Sequence, residues 1–274
     1  MSTADPQAVA AVMARVEAAL AQPRERLVII GLCGAQGSGK TTLARAVLEA
    51  CTDAGWRAAV LSIDDLYLTR AERQALAQRV HPLLATRGVP GTHDVALGLS
   101  VFEALARGEP VALPRFDKAR DDRAPEAIWR RAPQDCDVLL FEGWCVGARP
   151  QEQAALRQPI NALEACEDTG AVWRTYANNA LSGPYQELFA WLDTLVLLEA
   201  PGFEAVHGWR LEQEQELAAA EGSGGAVMSE AEIARFIAHY ERLTRHILNE
   251  MPARADLVIR LDARRKPVEI LSRR

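Results

Sequence analysis

The chain has 274 residues, a net charge of −6 and a pI near 5.5. This length suits one α/β domain with a sizeable insertion, and the negative charge argues against nonspecific nucleic-acid binding, which requires a clustered positive surface. Five scattered cysteines without a CxxC pair indicate neither a zinc site nor a disulfide framework. No apolar run approaches the ~18 residues that span a bilayer, so we expect a soluble protein, and the unpaired thiols favour the cytoplasm. We expect a monomer or small homo-oligomer.

The apolar pattern predicts one amino-terminal helix and five strands. Residues 1–24 carry apolar side chains at helical spacing and no basic leader, which predicts an amphipathic docking helix. Five strand-length runs rich in Val, Ile and Leu do not alternate with polar residues, as is typical of a parallel sheet covered by helices. These runs span 27–33, 58–63, 137–141, 194–199 and 256–261.

Helical patterns between and after these runs complete an α/β prediction. They occupy 41–54, 94–107, 204–220 and 229–250. The last two form a predicted helical lid region, 204–250, whose tip is the glycine-rich break at 222–225. We treat 1–274 as a single domain.

The first predicted strand ends in a phosphate-binding pattern. Residues 34–41 fit GxxxxGK[ST] between a strand and a helix, the context that makes this short pattern specific. Lys40 is expected to reach the β- and γ-phosphates of ATP, and the Thr41 hydroxyl to hold Mg²⁺. The fold class is therefore a P-loop NTPase three-layer fold, and the predicted nucleotide-binding residues are Gly34, Ala35, Gln36, Gly37, Ser38, Gly39, Lys40, Thr41 and Thr42.

Carboxylates follow two other predicted strands, where ligands of open parallel sheets gather. Asp64 and Asp65 come after the second strand, and either could accept a proton from a hydroxyl or organise Mg²⁺. Asp65 has the alternative of capping the next helix. Glu142 ends the third strand in the manner of a Walker B strand, so the predicted metal residues are Thr41, Asp64 and Glu142.

The segment 64–136 separates the second and third strands and is far longer than a crossover requires. It is rich in Arg, Pro and Asp, and we interpret it as an acceptor-binding insertion. The chain contains no NKxD or DxxG motif, which disfavours a GTPase. Only three of the 31 basic residues are lysines. One is Lys40 of the phosphate-binding pattern, and another, Lys118, lies in this insertion. Because arginine is the usual cation of this chain, a lysine at 118 favours a role facing a phosphate or carboxylate.

These motifs resemble the D-glycerate 3-kinases of the plant and fungal type and their bacterial relatives, in the phosphoribulokinase and uridine kinase group of P-loop kinases. The resemblance covers nearly the whole chain, except for 151–190, where we expect packing. It rests on GAQGSGKTTL at 34–43, SIDDLYLT at 62–69, RGVPGTHD at 87–94, PRFDKARDDR at 114–123, FEGWCVG at 141–147 and GWRLEQE at 208–214.

The resemblance implies transfer of the ATP γ-phosphoryl group to the 3-hydroxyl of D-glycerate, with Mg²⁺ required. It makes Asp64 the general base, joined by Lys40 and by a lid arginine, Arg210, which could instead pair with Glu214. The implied substrate-binding residues, for a small hydroxylated acid, are Asp65, Tyr67, Arg87, His93, Asp94, Lys118, Arg123 and Trp144.

Two alternatives stay open at this stage. One is a related kinase for another small alcohol, such as uridine or pantothenate. The other is a partner-dependent ATPase or nucleotide-gated binding protein.

Overall fold

A computed structural model describes residues 4–23, 26–221 and 230–273. Its helices are α1 Pro6–Leu20, α2 Lys40–Asp53, α3 Arg70–Arg79, α4 Val95–Ala106, α5 Ala162–Glu167, α6 Val172–Ser182, α7 Pro184–Phe189, α8 Phe203–Glu221 and α9 Glu230–Glu250. Its strands are β1 Val28–Gly34, β2 Ala58–Ser62, β3 Ala112–Leu113, β4 Phe116–Asp117, β5 Asp122–Arg123, β6 Arg130–Arg131, β7 Val138–Gly143, β8 Thr194–Glu199, β9 Leu257–Leu261 and β10 Pro267–Ser272. The predicted lid tip at 222–225 lies outside the described residues.

The central sheet has six strands in the order β10-β9-β8-β1-β7-β2. The five predicted strands are all present and parallel, so the α/β class is confirmed, but the predicted number of five strands is wrong. The sixth strand, β10, pairs antiparallel with β9 at the edge of the sheet. Its side chains are largely exposed, and that of Val268 is 65% exposed. The strand therefore lacks the continuous apolar run that marks a buried strand.

Two hydrophobic layers cover the faces of this sheet. Successive residues of β1 point to opposite faces, so that Ile29 and Cys33 pack in one layer while Ile30 and Leu32 pack in the other. Helices α1, α2 and α8 contribute to the second layer, and α4, α7 and α9 to the first. Burial on both faces explains why the strands show no polar alternation.

The amino-terminal helix is found at α1, where the Asp5 carboxylate accepts hydrogen bonds from the amides of Gln7 and Ala8. Its face carrying Val12 and Val16 is buried in the second layer. No helix in the described part of the chain is both long and apolar enough to cross a membrane.

The insertion contains α3, α4 and two small antiparallel hairpin-like pairs, β3 with β6 and β4 with β5. The segment 151–190 forms α5, α6 and α7. Trp173 and Leu181 of this segment are 2% and 1% exposed, as expected of side chains that pack.

Candidate active site

Three parallel strands end side by side and bring the predicted residues together. Glu142 of β7 is in register with Leu32 of β1 and with Ser62 of β2. The phosphate loop, the 3₁₀ helix Ile63–Leu66 and the Glu142 carboxylate therefore meet at one edge of the sheet. They enclose a cleft of about 600 Å³, which is lined by Gln36, Gly37, Lys40, Thr41, Ser62, Asp64, Asp65, Lys118, Glu142 and Arg210.

The phosphate loop is shaped to bind an anion. Gly37 and Gly39 have φ angles of 78° and 86°, in the left-handed region that favours glycine. Gly39 precedes the first turn of α2 and makes no side-chain capping bond, so the amides of this turn remain available to phosphate oxygens.

Glu142 and Thr41 form the part of the cleft that suits Mg²⁺. The Thr41 hydroxyl donates to Glu142 Oε1 at 3.0 Å, whereas the buried Oε2 atom has no hydrogen-bond partner among the described residues. No group of three His, Cys, Asp or Glu side chains able to hold a metal is found in the described chain. Mg²⁺ commonly combines one or two protein oxygens with water and substrate phosphates, so the residues present fit this ion.

Asp64 is held by two donors. The Tyr67 hydroxyl donates to its Oδ1 atom at 2.9 Å, and the Lys118 ammonium donates to its Oδ2 atom at 2.7 Å. Burial alone would raise the pKa of Asp64, but the charges of Lys118 and Lys40 outweigh it and hold the pKa well below its usual range. Asp64 is thus a carboxylate that faces the phosphate loop with a cation beside it.

Asp65 has a different environment from its neighbour. Its Oδ1 atom accepts a hydrogen bond from the amide of Phe116 in β4 at 3.0 Å, and burial raises its pKa to about 6. The next helix, α3, is capped by Thr69, so Asp65 does not take the alternative role of helix cap. It instead holds the β4/β5 hairpin, and with it Lys118, against the cleft.

Three charged members of the predicted acceptor set, Arg87, Asp94 and Arg123, bind residues within the insertion. Arg87 forms an ion pair with Asp121, which also binds Arg73. Arg123 donates to Asp94 Oδ2 at 3.0 Å, and the other oxygen of Asp94 caps α4.

The aromatic members lie deeper in the protein. His93 stacks on Tyr67 with 4.5 Å between ring centroids, and its Nδ1 atom is 2.5 Å from the Tyr185 hydroxyl. Burial lowers the pKa of His93 to about 4 and raises that of Tyr67 well above its ordinary value. Trp144 is 2% exposed and donates to the carbonyl of Gly88 at 3.1 Å.

Lys118 and Asp65 therefore lie at the cleft. The contacts of Arg87, Asp94 and Arg123 join parts of the insertion to one another, and those of His93 and Trp144 join the insertion to the rest of the domain. Direct contacts of these five side chains with an acceptor stay predictions. Arg210 reaches the cleft from α8, with its guanidinium 5.2 Å from the ring centre of Phe236 on α9. The side chain of its alternative partner, Glu214, lies outside the described residues.

Sequence reasoning missed Arg265, in the turn between β9 and β10. Its Nε atom donates to the carbonyl of Gly37 in the phosphate loop at 2.8 Å. The two residues are 228 positions apart, and Arg265 belongs to no motif that would have indicated the contact. A second cleft of about 610 Å³ lies on this side of Gly37 and also includes Thr42 and Lys266.

Comparison with known proteins places the chain among kinases. The phosphoribulokinase / uridine kinase family matches residues 29–148. A kinase of Schizosaccharomyces pombe described as uncharacterized is 36% identical over 228 residues, covering 80% of this chain and 80% of that protein. The chloroplastic D-glycerate 3-kinase of Arabidopsis thaliana is 30% identical over 260 residues, covering 88% of this chain but only 54% of that protein.

A solved structure shares the whole fold. The D-glycerate 3-kinase from Cryptococcus neoformans var. grubii superposes with a TM-score of 0.80 at 24% identity, covering 97% of this chain and 98% of the other. At that identity the likeness establishes the fold.

Proposed function

The chain belongs to the phosphoribulokinase/uridine kinase family of P-loop kinases, and from this premise we propose that it transfers the γ-phosphoryl group of ATP to the 3-hydroxyl of D-glycerate. The observation that carries the proposal is the Lys118–Asp64 pair beside the phosphate loop, 2.7 Å between Nζ and Oδ2. The pair supports the proposal because it combines a proton acceptor with an exposed cation beside the phosphate loop, as the reaction of a small anionic alcohol would require. The similarity to D-glycerate 3-kinases supports the choice of acceptor.

The donor half of the reaction uses the phosphate loop. Its amides and Lys40 bind the phosphates of ATP, and Thr41 and Glu142 would hold Mg²⁺. The ion, when bound, neutralises charge on the phosphate oxygens. Arg210, which lines the same cleft, is positioned to stabilise the charge on the phosphoryl group during transfer.

The acceptor half uses Asp64 and Lys118. The 3-hydroxyl oxygen bonds to the γ-phosphorus as the bond from that phosphorus to the bridging oxygen of ADP breaks, and the hydroxyl proton passes to an oxygen of Asp64. The side chain of Lys118 is 62% exposed and sits at the start of the turn between β4 and β5. Its ammonium group can therefore release the Asp64 oxygen and bind the carboxylate of the acceptor instead.

The direct test is ADP formation with MgATP and a panel of acceptors, with the product identified by ³¹P NMR. D-Glycerate should stimulate turnover and yield 3-phosphoglycerate, while glycerol, which lacks the carboxylate, should be a poor acceptor. Stimulation by uridine or pantothenate instead would indicate a kinase for another alcohol. ATP hydrolysis that depends on a protein partner and not on any alcohol would contradict the kinase assignment.

Lys118 offers a sharper test of the acceptor class. Lys118→Ala should raise the KM for D-glycerate by about tenfold or more, because a charge-assisted hydrogen bond is lost, while the KM for MgATP changes little. Lys118→Arg should recover part of the loss because the charge is retained. A change confined to the KM for MgATP would show that Lys118 serves the nucleotide.

A further inference from the structure

The tip of the phosphate loop packs directly on α8. Gly37 has no side chain, and a Cβ atom added to it would lie 2.6 Å from Cβ of Trp209. Trp209 is itself 1% exposed. The loop therefore has no room to move toward α8 without displacing this tryptophan.

Arg265 contacts both Gly37 and Trp209. Its Nε atom binds the carbonyl of Gly37, its guanidinium lies 5.5 Å from the ring centre of Trp209, and its Nη2 atom is 2.6 Å from a carboxylate oxygen of Glu212. In return, the indole N–H of Trp209 donates to the carbonyl of Ala263 at 2.8 Å. We call this set of contacts among Gly37, Trp209 and Arg265 the clasp.

The backbone of the turn is held in the conformation that the clasp requires. Arg265 has a φ of 65°, in the left-handed region that side chains other than glycine rarely adopt. The Asp262 carboxylate accepts hydrogen bonds from the amides of Arg264 at 2.8 Å and Lys266 at 2.9 Å. Such a conformation persists only where surrounding contacts hold it, and it is often found near functional sites.

The clasp stands between two clefts. Gly37 lines both the cleft that contains Asp64 and the second cleft that contains Arg265. The residue after Trp209 on α8 is Arg210, which lines the first cleft. A shift of the clasp would therefore change the shape of the phosphate loop and the position of Arg210 together.

We propose that Arg265 is a positioning residue whose guanidinium fastens the phosphate loop to α8, and so sets the place of Arg210 relative to the phosphoryl group being transferred. The functional half of this inference rests on the proposed kinase activity. The clasp itself can be tested in the protein without nucleotide.

The kinetic test compares Arg265→Ala with Arg264→Ala. The control removes the same charge from the neighbouring, exposed position of the same turn. We expect Arg265→Ala to weaken ADP binding by about tenfold and to lower kcat by about tenfold or more, as loss of a charge-assisted contact and of alignment predicts. The KM for the acceptor should stay near its wild-type value.

Arg264→Ala should change ADP binding by no more than about threefold, because exposed charges are screened by solvent. Arg265→Lys should remain impaired, since an ammonium cannot form the forked and stacked contacts of a guanidinium. Equal losses in Arg264→Ala and Arg265→Ala, or full recovery in Arg265→Lys, would show that only charge matters and would overturn the proposal.

A double-mutant cycle in thermal unfolding of the nucleotide-free protein tests the clasp independently. It combines Arg265→Ala with Trp209→Leu, and Trp209→Phe serves as the variant that keeps an aromatic ring. If the clasp exists, the Tm loss of the double variant should differ from the sum of the losses of Arg265→Ala and Trp209→Leu, and Trp209→Phe should lower the Tm less than Trp209→Leu does. Additive losses would refute the clasp. If the wild-type protein bound no nucleotide, the kinase proposal would fail, while the cycle would still decide whether the clasp exists.

Discussion

Asp64 and Asp65 are adjacent carboxylates whose pKa values move in opposite directions. Two lysines lower the pKa of Asp64, while burial raises that of Asp65 to about 6. Opposed environments of this kind separate the roles of neighbouring acids. Asp64 remains ionised and able to accept a proton, whereas Asp65 accepts an amide hydrogen bond and holds the hairpin that carries Lys118.

The proposed role of Asp64 as the general base predicts a large kinetic effect. Asp64→Asn should lower kcat by about 10²–10⁴-fold, because an amide cannot take the hydroxyl proton. Binding of ADP, measured by calorimetry, should be nearly unchanged. Asp117→Asn is the control, since Asp117 lies in the hairpin that carries Lys118, where its carboxylate accepts hydrogen bonds from the amides of Ala119 and Arg120 and forms an ion pair with the Arg120 side chain. Turnover retained in Asp64→Asn would exclude the base assignment.

His93 predicts how stability depends on pH. Burial lowers its pKa to about 4, whereas a histidine in the unfolded chain titrates near 6.5. Between these values the unfolded chain binds the proton more readily than the folded protein does. The stabilising effect of a neutral His93 is therefore fully present above pH 6.5 and is lost as the pH falls toward 4.

His93→Asn should make the Tm less dependent on pH between about 6.5 and 4.5. The pH-dependent part of the free energy of unfolding that the substitution removes is at most on the order of 2–3 kcal/mol. His207→Asn, at a half-buried position on α8, is the control for replacing a histidine. An unchanged slope in His93→Asn would mean that His93 is charged or exposed in the folded protein.

At the scale of elements, the distance between strand ends decides the geometry of the site. Gly143 ends β7 next to Glu142, and a Cβ atom added to it would lie 2.3 Å from the Cγ2 atom of Ile63. Ile63 directly precedes Asp64. This close approach lets the two carboxylates face one cleft, so a side chain at position 143 would force them apart.

Gly143→Ala should destabilise the protein by about 1–3 kcal/mol, as overpacking of a filled core does, and should also lower kcat. Adding Ile63→Ala removes the clashing methyl group, so the double variant should be less destabilised than the sum of the two single variants. Chemical denaturation of the four proteins measures this difference. Strictly additive losses would show that the two residues are not in contact.

The elements differ in how well the sequence predicted them. The apolar run at 194–199 coincides with β8, because a buried parallel strand is marked by its own residues. Helix α3 was missed because it is largely polar, with only Arg73 and Leu76 buried. Its capping box, in which Thr69 and Glu72 bind each other's amides, was a usable signal. The edge strand β10 had no comparable signal.

At the scale of the whole molecule, ligand binding and folding are linked. The phosphate loop joins β1 to α2, and α2 packs on both α1 and the sheet, so binding at the loop stabilises the folded chain as a unit. At an ADP concentration of 100 times Kd, linkage predicts about 2.7 kcal/mol of added stability, which corresponds to a rise in Tm of about 5 °C or more for a chain of this length.

The measurement is thermal unfolding with and without MgADP. Lys40→Ala should retain its fold but show a much smaller rise, because the charge that faces the phosphates is gone. Chelation of Mg²⁺ should reduce the rise in the wild-type protein if Thr41 and Glu142 hold the ion. An equal rise in Lys40→Ala would place the nucleotide elsewhere.

The sequence by itself determined the α/β class, the phosphate loop and the carboxylates at the strand ends, because each depends on residues that are contiguous or nearly so. Tertiary structure alone decided the partners of those residues. Lys118 meets Asp64 across 54 positions, and Arg265 meets Gly37 across 228. Contacts between such distant positions follow from how helices and hairpins pack on the sheet, and they leave no local periodicity in the chain.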